Sequence, residues 1–127
     1  MRVSEREQLL FWMFTALLAV LMVGSAARAL LDYPWARASF EHLGFPTYII
    51  VPLEIAKLLG VAAVLSNVSP FLKNLAYAGF FYHLILALSA HVAAGDEPEI
   101  MSGAALGLVL LAGSFHFDRR RGSSVGG

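Results

Sequence analysis

YIIVPLEIAKLLGVAAVL, residues Tyr48 to Leu65, is the stretch that decides the fold. It is long enough to cross a bilayer, yet it carries Glu54 and Lys57 three residues apart, with Pro52 just ahead of them. A charge at the centre of a membrane helix costs roughly 2.5–3.5 kcal/mol. A span that keeps two of them turns them inward, pairs them or uses them. Spacing of i, i+3 places both on one helix face, so pairing is open to them. Pro52 removes a backbone donor and is expected to bend the helix beside the charges.

Outward from this stretch lie three more apolar runs: Leu9 to Ala27, Leu75 to Ala94 and Ile100 to Phe117. Each is close to the ~20 residues that span a ~30 Å hydrocarbon core. None contains Asp, Glu, Lys or Arg, although His83 and His91 interrupt one and His116 closes another. The chain is 58% hydrophobic and only 14% charged, against about 45–50% and about 25% in a soluble domain. Period-two alternation is missing, so a β-barrel is excluded and helix is the form that satisfies the backbone in lipid. The expected fold is all-α, an antiparallel transmembrane four-helix bundle over residues 1–118. Residues 119–127, Arg-rich and then Gly/Ser-rich, are expected to form a disordered cytoplasmic tail.

The first run resembles a signal peptide in its Arg2/Arg6 start and its Gly24-Ser25-Ala26 end. Glu5 and Glu7 cancel that charge and the run is long for such a segment, so we read it as a retained helix. Ala36 to Leu43 is expected to be a short surface helix stopped by Gly44. Tyr33 and Trp35 suit the membrane–water boundary. Lys and Arg outnumber those on the opposite side when both termini face the cytoplasm: Arg2, Arg6, Lys73, Arg119, Arg120 and Arg121 against Arg28 and Arg37. Zero net charge gives no sign of nucleic-acid binding. The absence of cysteine excludes disulfides and thiol chemistry.

In that orientation, a rise of 1.5 Å per residue sets the depth of each polar group. Glu54 lies roughly 10 Å below the outer boundary, Lys57 roughly 15 Å and His83 roughly 16 Å. Arg28 and His91 lie nearer the surface, with Asp96 at the outer mouth. These groups form a candidate polar chain. Two readings stand: a structural ion pair that fixes helix register, or a ligand or proton site centred on Glu54, Lys57 and His83. His83 alone reads as a core histidine, and Arg28 and His91 alone as residues that reach to water. Gly103 and Gly107 form GxxxG, a close-approach motif that serves either a helix of the same bundle or a homodimer. HExxH, Walker and G-x-G-x-x-G motifs are lacking, and no two histidines stand at i, i+4, so no metal site is expected.

The chain resembles the DoxX-like family of small four-helix membrane proteins. The segments that carry the likeness are Leu43-Gly44-Phe45-Pro46, Glu54-x-x-Lys57-x-x-Gly60, Leu72-Lys73-x-x-Ala76-Tyr77-Ala78-Gly79-Phe80, and His91 followed by Gly95-Asp96. They keep their order over residues ~40 to 96. The resemblance implies a bundle in the bacterial inner membrane. It places Glu54, Lys57, His91 and Asp96 at the family's polar positions and brings Tyr77 into the set of ligand-binding candidates with Arg28, His91 and Asp96. His83 stands where Asn or Asp would be expected. The broader family includes subunits linked to thiosulfate:quinone oxidoreduction and redox-stress complexes, so a quinone is one expected partner, although no cofactor is required by the residues themselves.

Three functions follow as expectations. In the first, the protein binds a lipophilic molecule, a quinone or an isoprenoid-like compound, with Glu54 moving a proton while Lys57 and His83 polarise an oxygen. In the second, it is a non-enzymatic assembly subunit of a membrane complex. In the third, it is a transporter, which four helices without an internal repeat support least. Whether it is an enzyme stays open at this level.

Overall fold

A computed structural model describes the backbone of residues 3–66 and 68–126, and side chains over 5–66 and 68–120. Five α-helices and one 3-10 turn follow in order: α1 (Val3–Leu31), α2 (Tyr33–Leu43), the turn Thr47–Ile49, α3 (Ile50–Ser66), α4 (Pro70–Ala94) and α5 (Pro98–Gly126). No strand occurs among the described residues. Four helical stretches are long and apolar enough to cross a membrane: Glu5–Leu31, Thr47–Ser66, Pro70–Ala94 and Pro98–Arg120. Their outward faces carry large apolar side chains such as Leu17, Val20, Leu59, Phe71, Leu86 and Val109, as suits contact with lipid. The protein is a multi-pass integral membrane protein.

The four spans close into a ring in which α1 packs on α3 and α5, and α4 packs on α3 and α5. Ring neighbours run antiparallel. Thr15 of α1 bonds Ser114 of α5 and Glu7 bonds Arg120, so the start of α1 lies beside the end of α5. The first and last described residues are therefore at one end of the bundle. Arg119 and Arg120, assigned to the tail from sequence, continue α5. The helix runs on to Gly126, where a disordered tail was expected from residue 119; the side chains of residues 121–127 lie outside those described.

Local chemistry sets the helix ends. Ser69 caps α4, its hydroxyl accepting from the Leu72 amide at 3.3 Å, with Pro70 in the first turn. Asp32 caps α2 in the same way on the Trp35 amide, 3.3 Å away. Gly44 and Gly95 end α2 and α4 at φ of 83° and 74°, a left-handed conformation that glycine adopts without strain. Pro52 lies at the start of a helix rather than within one. It stands in the first turn of α3, directly after the 3-10 turn, where the missing amide has no intrahelical acceptor to lose.

Packing divides the bundle along its length. Toward the termini it is solid: Leu18, Met22, Val61, Val64, Tyr77, Phe80, Leu84, Leu110 and Leu111 form one buried cluster. Glycines permit this. A β-carbon on Gly60 would stand 2.8 Å from the Phe80 ring, one on Gly107 would stand 2.8 Å from Leu84, and one on Gly113 would overlap Phe14. Gly107 thus draws α5 against α4 and α1 within one chain. Gly103, one turn earlier, meets nothing within 4 Å and opens on a cavity. α2 is less superficial than its sequence indicates. Ala36 is buried against Ala29 and Ile50, with Phe40 packed beside them, so α2 folds across the far end of the bundle.

Candidate functional site

Beyond the solid half lies a cavity of about 960 Å³. All five helices line it. Its floor includes Met22 and Leu84, its walls include Leu53, Ala87 and Ala104, and Phe40 and Leu43 of α2 stand over it. Small residues make the space. Gly79, Ala87, Gly103 and Ala104 occupy wall positions where larger side chains would continue the core.

Two polar clusters interrupt the apolar lining. At the deeper one, Lys57 Nζ lies 2.7 Å from Glu54 Oε2. Both residues are nearly sequestered, at 6% and 2% relative exposure. The ammonium donates to Ser25 Oγ at 2.8 Å, and Ser25 in turn donates to the Met22 carbonyl at 3.0 Å. Lys57 therefore bridges α3 to α1. Glu54 Oε2 is fully buried, and its contact with the ammonium is an ion pair rather than a hydrogen bond. An ammonium has three donors, so this one retains capacity beyond Ser25. His83 of α4 lines the same cavity.

The second cluster is at the mouth. Asp96, in the turn between α4 and α5, receives His91 Nδ1 on Oδ2 at 2.7 Å and His42 Nε2 on Oδ1 at 2.6 Å. One carboxylate thus ties α2 to α4. The hydrogen bonds from His91 first, and then from His42, hold the Asp96 carboxyl below its ordinary range. The carboxylate accepts from both rings, so each histidine donates through the nitrogen named.

The remaining candidates sit elsewhere. Arg28 is exposed and stacks over the Trp35 ring, 4.0 Å from its centroid, outside the cavity lining. Tyr77 is in the solid half, where its hydroxyl meets Ser114 Oγ at 2.8 Å and Ser114 meets Thr15 at 2.6 Å. This hydroxyl cluster joins α4, α5 and α1 within the core. Near the termini, Lys73 pairs with Asp118 at 2.9 Å and Arg120 with Glu7 at 2.9 Å.

The structure therefore brings Glu54, Lys57, His83, His91 and Asp96 around one space and leaves Arg28 and Tyr77 out of it. Ser25 and His42 were not singled out from sequence. Depth arithmetic offered a signal for both, since each lies toward the same end as Asp96; which face they present depends on how α1 and α2 rotate.

A model of the DoxX-like family matches residues 13–114. The chain belongs to that family. No curated protein and no solved structure matches it. The DoxX-like region holds the whole cavity lining and both polar clusters, whereas Glu7, Asp118 and Arg120 of the terminal ion pairs fall beyond it.

Proposed function

We propose that this DoxX-like protein binds a lipophilic molecule in the cavity, with its polar head at Glu54, Lys57 and His83, for proton-coupled or redox-associated chemistry. The observation that carries this reading is an apolar-walled cavity of about 960 Å³ into which a buried ion pair projects. Apolar walls with a few convergent polar groups are the usual make-up of a ligand site. In this reading Lys57 donates to a carbonyl or hydroxyl oxygen of the ligand, and the Glu54 carboxylate accepts from it or exchanges a proton with it. A quinone head meets the same requirement through its carbonyl oxygens, and when bound it would supply the redox chemistry. The open face of Gly103 belongs to the cavity and the tight face of Gly107 to the bundle, so a homodimer through these glycines draws no support from their surroundings.

In this reading the membrane is the bacterial inner membrane and both termini are cytoplasmic. Lys73, Arg119 and Arg120 at the terminal end, against Arg28 and Arg37 at the other, support that orientation. The test is mass spectrometry of lipids copurified with the protein, followed by binding of a short-chain quinone in nanodiscs. Wild type should retain a lipophile. Glu54→Gln and Lys57→Met should weaken the binding, and Gly103→Phe should block it while the fold persists. Folded variants that all bind like wild type would refute the site.

A further inference from the structure

The two polar clusters share one cavity but are far apart along it. His83, at the deep level, and His91, at the mouth, are eight residues apart on α4, which is roughly 12 Å along the helix axis. Between them the wall is apolar, with Leu84 and Ala87 on the same helix. A ligand with a single polar head would occupy one level and leave the other without a partner.

What each level offers can be deduced. At the deep level, Glu54 Oε2 is a buried acceptor with no hydrogen bond, beside an ammonium that has donors to spare. A hydroxyl answers both, accepting from Lys57 and donating to Glu54. At the mouth, Asp96 is a carboxylate that only accepts, so His91 must donate to it through Nδ1. In the neutral ring Nε2 then carries the lone pair. His91 lines the cavity, and Nε2 is the nitrogen left for an occupant. His42 is fixed in the opposite sense, its Nε2 used by Asp96 and its Nδ1 remaining. Asp96 itself is shielded, its side chain only 9% exposed, which suits a group that orients the rings rather than one that meets the ligand.

We propose that the cavity takes a two-headed lipophile: an apolar body with a hydroxyl at each end, one seated against the Glu54–Lys57 pair and the other donating to His91 Nε2. This rests on the lipophile-binding reading above and specifies the chemical class that the site selects. His91 is a ligand-contacting residue in this arrangement, and Asp96 is a positioning residue that acts through it.

The probes are 1,10-decanediol and 1-decanol, titrated against the full chain in phosphatidylcholine nanodiscs and followed by Trp35 fluorescence at the mouth. The quantity read is the ratio of the two affinities, compared between wild type and variant so that partitioning into lipid cancels. Wild type should favour the diol about tenfold, the worth of one buried hydrogen bond. His91→Phe should bring the preference to about one. His91→Asn keeps an amide that can donate to Asp96 but has nothing at the Nε2 position, so it should lose the preference while retaining the stability of the clamp. Asp96→Asn should reduce the preference by freeing the ring. A wild-type ratio near one, or a ratio unchanged in folded His91→Phe or His91→Asn, would overturn the two-headed assignment and leave lipophile binding standing. Failure of both probes to bind wild type would remove both.

Discussion

Lys57→Met is the most informative single change, because it isolates the buried pair on which the site depends. At 2.7 Å and an effective dielectric of about 20, the gross attraction is about 6 kcal/mol. Desolvation of each ion, several kcal/mol, offsets most of it. Removing the ammonium therefore exposes the uncompensated half, with an expected loss of about 3–5 kcal/mol. One signature follows. Glu54→Gln combined with Lys57→Met should be less destabilising than Lys57→Met alone. The coupling expected from the double-mutant cycle is about 2–3 kcal/mol. Reversible unfolding in bicelles, measured for wild type, both single variants and the double variant, gives all four corners. Additive single effects, each below about 1 kcal/mol, would mean that water in the cavity already screens the pair as it does on a surface, and the sequestered ion pair would have to be abandoned.

Four further outcomes are expected. Gly107→Ala should destabilise by about 1–3 kcal/mol through its clash with Leu84, whereas Gly103→Ala, facing open space, should be near neutral in the same unfolding assay. Ser114→Ala removes the hydroxyl that joins Thr15 to Tyr77 and should cost about 1–2 kcal/mol; no change in midpoint would show that the cluster contributes nothing. Because Asp96 is held below its ordinary value of 3.8, the stabilisation from its clamp is complete above that value. It should fall away as pH drops through the lower folded value, and a thermal-melt series on wild type and Asp96→Asn should converge there. Gly44→Val forces a β-branched residue into a left-handed position at φ 83° and should loosen α2, read as faster amide exchange over residues 33–43.

Much of the architecture was legible because it follows from local quantities. Four apolar runs and the lipid solvent leave helix as the form that satisfies the backbone, and the stop at Gly44 acts within a few residues of itself. The Glu54–Lys57 pair was legible for the same reason, being i, i+3 on one helix. Its third member was not. Ser25 reaches Lys57 only through the rotation of α1 against α3, and His42 meets Asp96 across 54 positions of sequence. The place of Pro52 in the first turn was not legible either, because it depends on where the helix begins.

Composition and periodicity alone determined that this chain crosses a membrane as helices, and that two charges must be reconciled inside one of them. Tertiary structure decided which glycines close the bundle and which leave it hollow, and so where a cavity stands and which polar groups face it. The physical reason is that hydropathy and helix period are properties of a single segment, whereas a cavity exists only between segments whose rotation and separation are fixed by side-chain volumes on all of them at once.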